Sequence, residues 1–232
     1  MTPACRLPLL LLLGLALAAC GSTQPAQPAG QAVAANPDAQ IFVEPDDGPQ
    51  PLLQELTGAR TSLDLEMYLL TDRQAIGAME QAERRGVRVR VLLEQHPFGG
   101  GAGNGASFAQ LQRAGVATRW ADPRFKLTHE KAAVVDGREA LILTLNLTVS
   151  AFSRNREYGV VDRSPEDVAE VRSLFNADWN RTGYAPTRPD LVVSPENSRT
   201  KLLALIGQAS GRLDLESEEV QDQGLEQALL AA

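Results

Sequence analysis

The sequence is short of the residues that hold metals and build disulfide frameworks: two histidines, His96 and His129, and two cysteines, Cys5 and Cys20, in 232 residues. These do not make the ligand cluster of a zinc site, so no metal and no cofactor is expected. Basic charge is short as well. With 22 Lys and Arg against 29 Asp and Glu, the formal net charge is -7, which argues against the broad, salt-dependent nucleic-acid binding that needs a basic footprint. The apolar run from Leu7 to Leu17 is shorter than the ~20 residues a spanning helix needs. What remains is 44% apolar and 22% charged, the composition of an ordinary globular chain with enough apolar material for a core.

The first residues read as a leader. Arg6 supplies a positive start, Leu7 to Leu17 an apolar stretch, and Leu17-Ala18-Ala19-Cys20 a small-residue cleavage site ending in cysteine. That ending resembles a bacterial lipobox. The resemblance implies a lipoprotein signal peptide over residues 1–20, a lipidated Cys20 that attaches the mature chain to a membrane, and a place in the cell envelope outside the cytoplasm. Cys5 would leave with the leader, so no internal disulfide is expected. Residues 21–38, GSTQPAQPAGQAVAANPD, carry no hydrophobic period and read as a flexible tether.

Beyond the tether the pattern alternates between strand and helix. Ile41 to Val43 is a strand candidate, Pro49 to Arg60 a helix, and Ser62 to Leu70 a strand. Asp72 is placed to cap a helix that runs to Arg85 and closes at Gly86. Val87 to Leu93 alternates cleanly as a strand, so strand, helix and strand predict a right-handed βαβ unit with parallel neighbours. A glycine-rich stretch, Pro97 to Gly105, precedes a helix over 106–114, but it does not complete a dinucleotide fingerprint and reads as a loop or rim. His96 beside it reads as a surface residue. Val116 to Trp120 and Tyr158 to Val161 are further strands. Ser164 caps a helix that starts at Pro165, ends near Asn180 and turns Val168, Val171, Leu174 and Phe175 inward. The fold class expected is α/β, with a mixed, largely parallel sheet flanked by helices.

Shifting the chain against itself by 150 residues brings Leu52-Leu53 onto Leu202-Leu203, Leu63-Asp64-Leu65-Glu66 onto Leu213-Asp214-Leu215-Glu216, and Asp72 onto Asp222. One fixed offset points to duplication. The expected organisation is one complete repeat over 39–185 and a partial second repeat over 186–232.

The chemistry concentrates in Leu127 to Asn146, LTHEKAAVVDGREALILTLN. On an extended strand His129 and Lys131 project to one face and Glu130 to the other. Ala132 to Val135 reads as a buried strand, Asp136-Gly137 as a turn, and Ala140 to Leu145 as the returning strand. Strand parity places Asp136 on the face opposite Lys131, which suits a structural role.

The spacing His-x-Lys-x4-Asp, with an Asn ten residues on, resembles the signature of the phospholipase D superfamily, whose members cleave or exchange phosphodiesters through a phosphohistidine. The resemblance covers His129, Lys131, Asp136 and Asn146, and extends to the acid Glu157 in RNREYGVV. Where the family usually has Gly-Ser, this chain has Leu143-Thr144; threonine keeps a hydroxyl. The resemblance implies a phospholipase D-like fold, with His129 as nucleophile, Lys131, Thr144 and Asn146 on phosphate oxygens, and Glu157 orienting His129 through its far ring nitrogen. It also implies two histidines per site, one attacking and one protonating the leaving oxygen. No histidine follows His129, so either two chains pair as a homodimer or the chain is an incomplete, inactive relative. Phospholipid is the expected substrate, in hydrolysis or phosphatidyl transfer; a nuclease-like phosphodiesterase is disfavoured by the acidic charge.

Overall fold

The computed structural model describes residues 38–98, 101, 103–189 and 191–232. The leader, Cys20 and the tether up to residue 37 lie outside the described residues.

A single sheet organises the chain from residue 39 to residue 162. Strands β1 (Ala39–Glu44), β2 (Ser62–Met67), β3 (Arg88–Leu93), β4 (Ala117–Trp120), β5 (Lys131–Val135), β6 (Glu139–Leu143) and β7 (Glu157–Asp162) lie in the order β1-β7-β6-β5-β2-β3-β4. The expected βαβ unit is present: β2 and β3 pair in parallel around α2 (Arg73–Arg84), and β4 continues in parallel on the far side of β3. The balance of directions differs from the expectation. β5 pairs antiparallel with β2, and the pairs β5–β6, β6–β7 and β7–β1 are antiparallel as well, so the mixed sheet is mostly antiparallel. The Asp136-Gly137 turn accounts for one of these pairs, β5 with β6. A tight turn can only return a strand beside its partner in the opposite sense, and both residues hold the left-handed backbone this needs, with φ of 54° and 64°.

Capping chemistry sets the helix limits. The Asp72 carboxylate accepts from Gln74 N and Ala75 N, both at 2.9 Å, and Gly86 ends α2 with φ of 87°. Helix α5 (Pro165–Asn180) begins one residue after Ser164, with Glu166 and Asp167 in its first turn. Helices α1 (Gln50–Gly58) and α3 (Gly105–Arg113) fall within two residues of the expected ranges, and a short α4 (Val149–Ser153) is added after β6.

Two apolar layers sandwich the sheet. Odd-numbered residues of β2, β3 and β5 (Leu63, Leu65, Met67, Val89, Val91, Ala133, Val135) meet Leu52, Leu56, Ile76 and Met79 of α1 and α2. Even-numbered Ala132 and Val134, with Ala140 from β6, meet Val168 and Val171 of α5 on the opposite face. That second face also carries Asp64, whose carboxylate takes Arg90 Nε at 2.7 Å, while Arg90 lies 4.8 Å from the centre of the Phe175 ring. Trp179 packs on Phe175 as a partly buried ring.

Past Asn180 the chain forms two more helices, α6 (Ser198–Gly207) and α7 (Gln223–Ala231). They stand where the 150-residue shift carries α1 and α2, and Asp222 caps α7 through Leu225 N at 3.0 Å as Asp72 caps α2 through Ala75 N. The segment that shifts onto β2, Leu213 to Glu216, is exposed and pairs with no strand.

Candidate active site

Lys131 opens β5 and is buried, at 7% exposure. Its Nζ donates to His129 O at 2.8 Å and lies 3.3 Å from His129 Nδ1. The imidazole packs edge-on against Tyr68, with ring centres 4.3 Å apart, and the Lys131 ammonium lies 5.3 Å from the Tyr68 ring centre. Burial and the Lys131 charge both lower the His129 pKa, against an opposing pull from Glu218. A shift in that direction favours the neutral ring, the form in which a ring nitrogen keeps a lone pair for attack. Burial lowers Lys131 itself to about 8, while the carboxylates of Glu157, Glu218 and Glu130 oppose it.

Three residues that hold this pair are not evident in the sequence. Glu94, the acid after β3, accepts from His96 N and Thr128 N, each at 2.8 Å, and so anchors the loop that delivers His129. Asn104 is fully buried; its amide oxygen takes Leu70 N and its amide nitrogen donates to Tyr68 O and Glu94 O, all at 2.8 Å. The described end of the glycine-rich loop thus clamps the ends of β2 and β3. Tyr68 supplies the aromatic wall. The signals were an acid directly after an alternating strand, the one aromatic in SLDLEMYLL, and an Asn before a helix.

The other expected residues divide. The Glu157 carboxylate accepts from Thr144 Oγ1 at 2.7 Å and from Asn155 Nδ2 at 3.2 Å, and among the described residues it makes no hydrogen bond to His129. Its charge acts on Lys131 instead. The hydroxyl of Thr144 donates to Glu157 and accepts from Tyr158 N at 2.9 Å, so its proton is committed to holding Glu157 and not to a phosphate. Leu147 N donates to Leu69 O at 3.0 Å, which seats the end of the Asn146 segment beside the end of β2. The Asn146 Oδ1 is buried without a partner. Asp136 lies at the opposite end of β5 from Lys131 and outside the site. Its carboxylate accepts from the backbone N–H groups of Arg60, Thr61 and Ser62 and from the Thr61 hydroxyl, at 2.7 to 3.1 Å. Asp136, which belongs to the motif that the resemblance marks as catalytic, thus anchors the hairpin on β2. A cavity of about 1010 Å³ borders His129 and Lys131 and runs beneath Phe125, Leu174 and Tyr184.

The C-terminal segment borders the same region. The Tyr158 hydroxyl donates to Glu216, and Glu218 lies close enough to act on both His129 and Lys131.

The chain is similar to several known proteins. The human mitochondrial cardiolipin hydrolase is 32% identical over 163 residues, 70% of this chain and 62% of its own length. A phospholipase D of Rickettsia bellii is 25% identical over 138 residues, 60% of this chain and 65% of its own length. The match to the human protein therefore spans less than two thirds of that protein. The crystal structure of Nuc, a phospholipase D family member from Salmonella typhimurium, shares the fold with a TM-score of 0.57 and 24% identity, covering 61% of this chain and 93% of Nuc. The family described as cardiolipin synthase, PLD-like domain, matches residues 52–179, more than half of the chain. With the His129–Lys131 pair seated at the end of such a sheet, the chain belongs to the phospholipase D superfamily.

Proposed function

We propose that this chain is a phosphodiesterase or phosphatidyltransferase of phospholipids that works through a phosphohistidine at His129. The observation that carries the reading is the His129 imidazole, whose Nδ1 stands 3.3 Å from the buried ammonium of Lys131. A ring nitrogen of His129 would form the bond to phosphorus as the bond to the leaving oxygen breaks, with the proton for that alcohol coming from a second histidine. Water, or another alcohol in a transfer reaction, then releases the phosphoryl group and restores His129. Lys131 would stabilise the charge developing on the non-bridging oxygens, and the Asn146 amide is available to add a donor. A homodimer that brings two copies of His129 together supplies the second histidine.

The acidic balance of the chain and the carboxylates of Glu157 and Glu218 around Lys131 favour a lipid headgroup over the dense negative charge of nucleic acid. Attachment through a lipidated Cys20 would hold the site beside that substrate; labelled fatty acid should enter the wild type in a bacterial host and not Cys20→Ala. The central test compares wild type with His129→Ala on cardiolipin vesicles, phosphatidylcholine vesicles and plasmid DNA. Headgroup release by the wild type alone is expected. Equal signals from both proteins would remove the catalytic reading and leave a non-catalytic envelope protein, while DNA cleavage by the wild type alone would favour a nuclease. Sedimentation of the active species should report a dimer.

A further inference from the structure

Behind the segment that carries His129, three carboxylates from distant parts of the chain converge. Glu66 of β2, Glu130 and Asp178 of α5 each place a carboxylate oxygen within 4.8 Å of the other two. Register explains the meeting. Glu66 pairs with Ala132 across β2 and β5, so Glu130 is its diagonal neighbour on the face opposite His129 and Lys131. Helix α5 crosses that face and brings Asp178 over the pair.

A second, independent observation concerns Glu66 alone. It is 1% exposed, and neither of its carboxylate oxygens has a hydrogen-bond partner. The fold satisfies its other acids on this side: Asp64 takes Arg90, and Glu170 takes Tyr184 and Thr187. Among the described residues no lysine or arginine pairs with Glu66, Glu130 or Asp178; the nearby Arg124 is committed to Asp122. A carboxyl group buried with neither a hydrogen bond nor a counter-charge is costly in either protonation state.

We infer that Glu66, Glu130 and Asp178 form a binding site for a hard divalent cation. The donors are all oxygen, which suits calcium or manganese and disfavours zinc or copper. Calcium takes oxygen at about 2.4 Å, and a carboxylate oxygen of each residue lies within 4.8 Å of the other two, close enough to share one ion. Glu130 and Asp178 are half-buried and border the cavity of about 1010 Å³, which gives an ion and its remaining waters a way in. The scarcity of histidine and cysteine excludes a zinc centre but has no bearing on a carboxylate set.

Such an ion would join β2, the His129 loop and α5 at one point. Glu130 stands between His129 and Lys131, so the ion would fix the backbone of both without touching either. It is a positioning site with its own ligands, and its existence does not depend on the reaction proposed at His129.

The test uses the full chain stripped with a chelator. Titration with Mn2+ followed by electron paramagnetic resonance, and with Ca2+ by calorimetry, should give one bound ion per chain, with a melting temperature that rises as Ca2+ is added. Glu66→Gln and Asp178→Asn should each abolish the binding and the thermal shift, and His129→Ala should keep both. Asp178 is half-buried near the end of a surface helix, so Asp178→Asn decides the matter if Glu66→Gln does not fold. No saturable ion in the wild type at millimolar metal, or binding that survives in Asp178→Asn, overturns the site.

Discussion

Asp136→Asn separates scaffold from chemistry at the third residue of the motif. The carboxylate accepts from three consecutive backbone N–H groups at the start of β2 and from one hydroxyl. Asparagine keeps the shape and tolerates the left-handed backbone at φ of 54°, so the substitution removes charge and one acceptor oxygen without new strain. Each hydrogen bond to a charged group is worth about 1.5–3 kcal/mol. The bonds share one carboxylate and one oxygen survives, so the expected loss is about 2–4 kcal/mol in all. Urea unfolding at pH 7 measures it. The pH dependence supplies a second check. Burial raises the Asp136 pKa, but the bonds from Ser62, Thr61 and Arg60 together outweigh it and leave the folded value below the ordinary one. A depressed folded pKa gives stability that is complete above the unfolded value of about 3.9 and fades as pH falls through the folded value. The gap between wild type and Asp136→Asn should therefore close in acid. Equal urea midpoints at pH 7, or a gap that widens below pH 4, would refute the anchor.

Other expectations concern the core and the site. Asn104→Ala strands Leu70 N, Tyr68 O and Glu94 O in a buried place and should cost about 3 kcal/mol or more in urea unfolding, with faster proteolysis of the loop before α3. Gly159→Ala drives a methyl group into the Phe42 ring between β7 and β1, and about 3 kcal/mol of destabilisation should appear as a lower melting temperature. The His129 ring should titrate below the usual 6.5 by NMR, and Lys131→Met should move its midpoint upward by removing the ammonium that favours the neutral form.

Local signals carried much of the fold. Asp72 and Ser164 were readable as caps because a cap depends only on its next three residues, and the helices they start begin at the following residue. The β2–α2–β3 unit was readable because hydrophobic period changes at each boundary. The antiparallel majority was not inferred, although the Asp136-Gly137 turn implied part of it; the pairing of β1 with β7 joins residues more than a hundred positions apart. At the site, His129 and Lys131 come together because strand alternation places them. Thr144 and Glu157 were matched as separate functional residues, but cross-strand pairing gives them to each other. The meeting of Glu66, Glu130 and Asp178 depends on sheet register and on the path of α5, neither of which any short window of sequence contains.

All seven strands precede Pro165, whereas seven of the twelve large apolar side chains left exposed among the described residues belong to positions 191–232. α6 and α7 contact mainly each other. Amide protons should therefore exchange with deuterium on two separate timescales: minutes or less across the final forty residues, and far more slowly through β2, β3 and β5, where exchange waits on global opening. Protection measured residue by residue would put the step between the two near Arg188, whose ion pair with Asp167 follows the bonds of Tyr184 and Thr187 to Glu170 on α5.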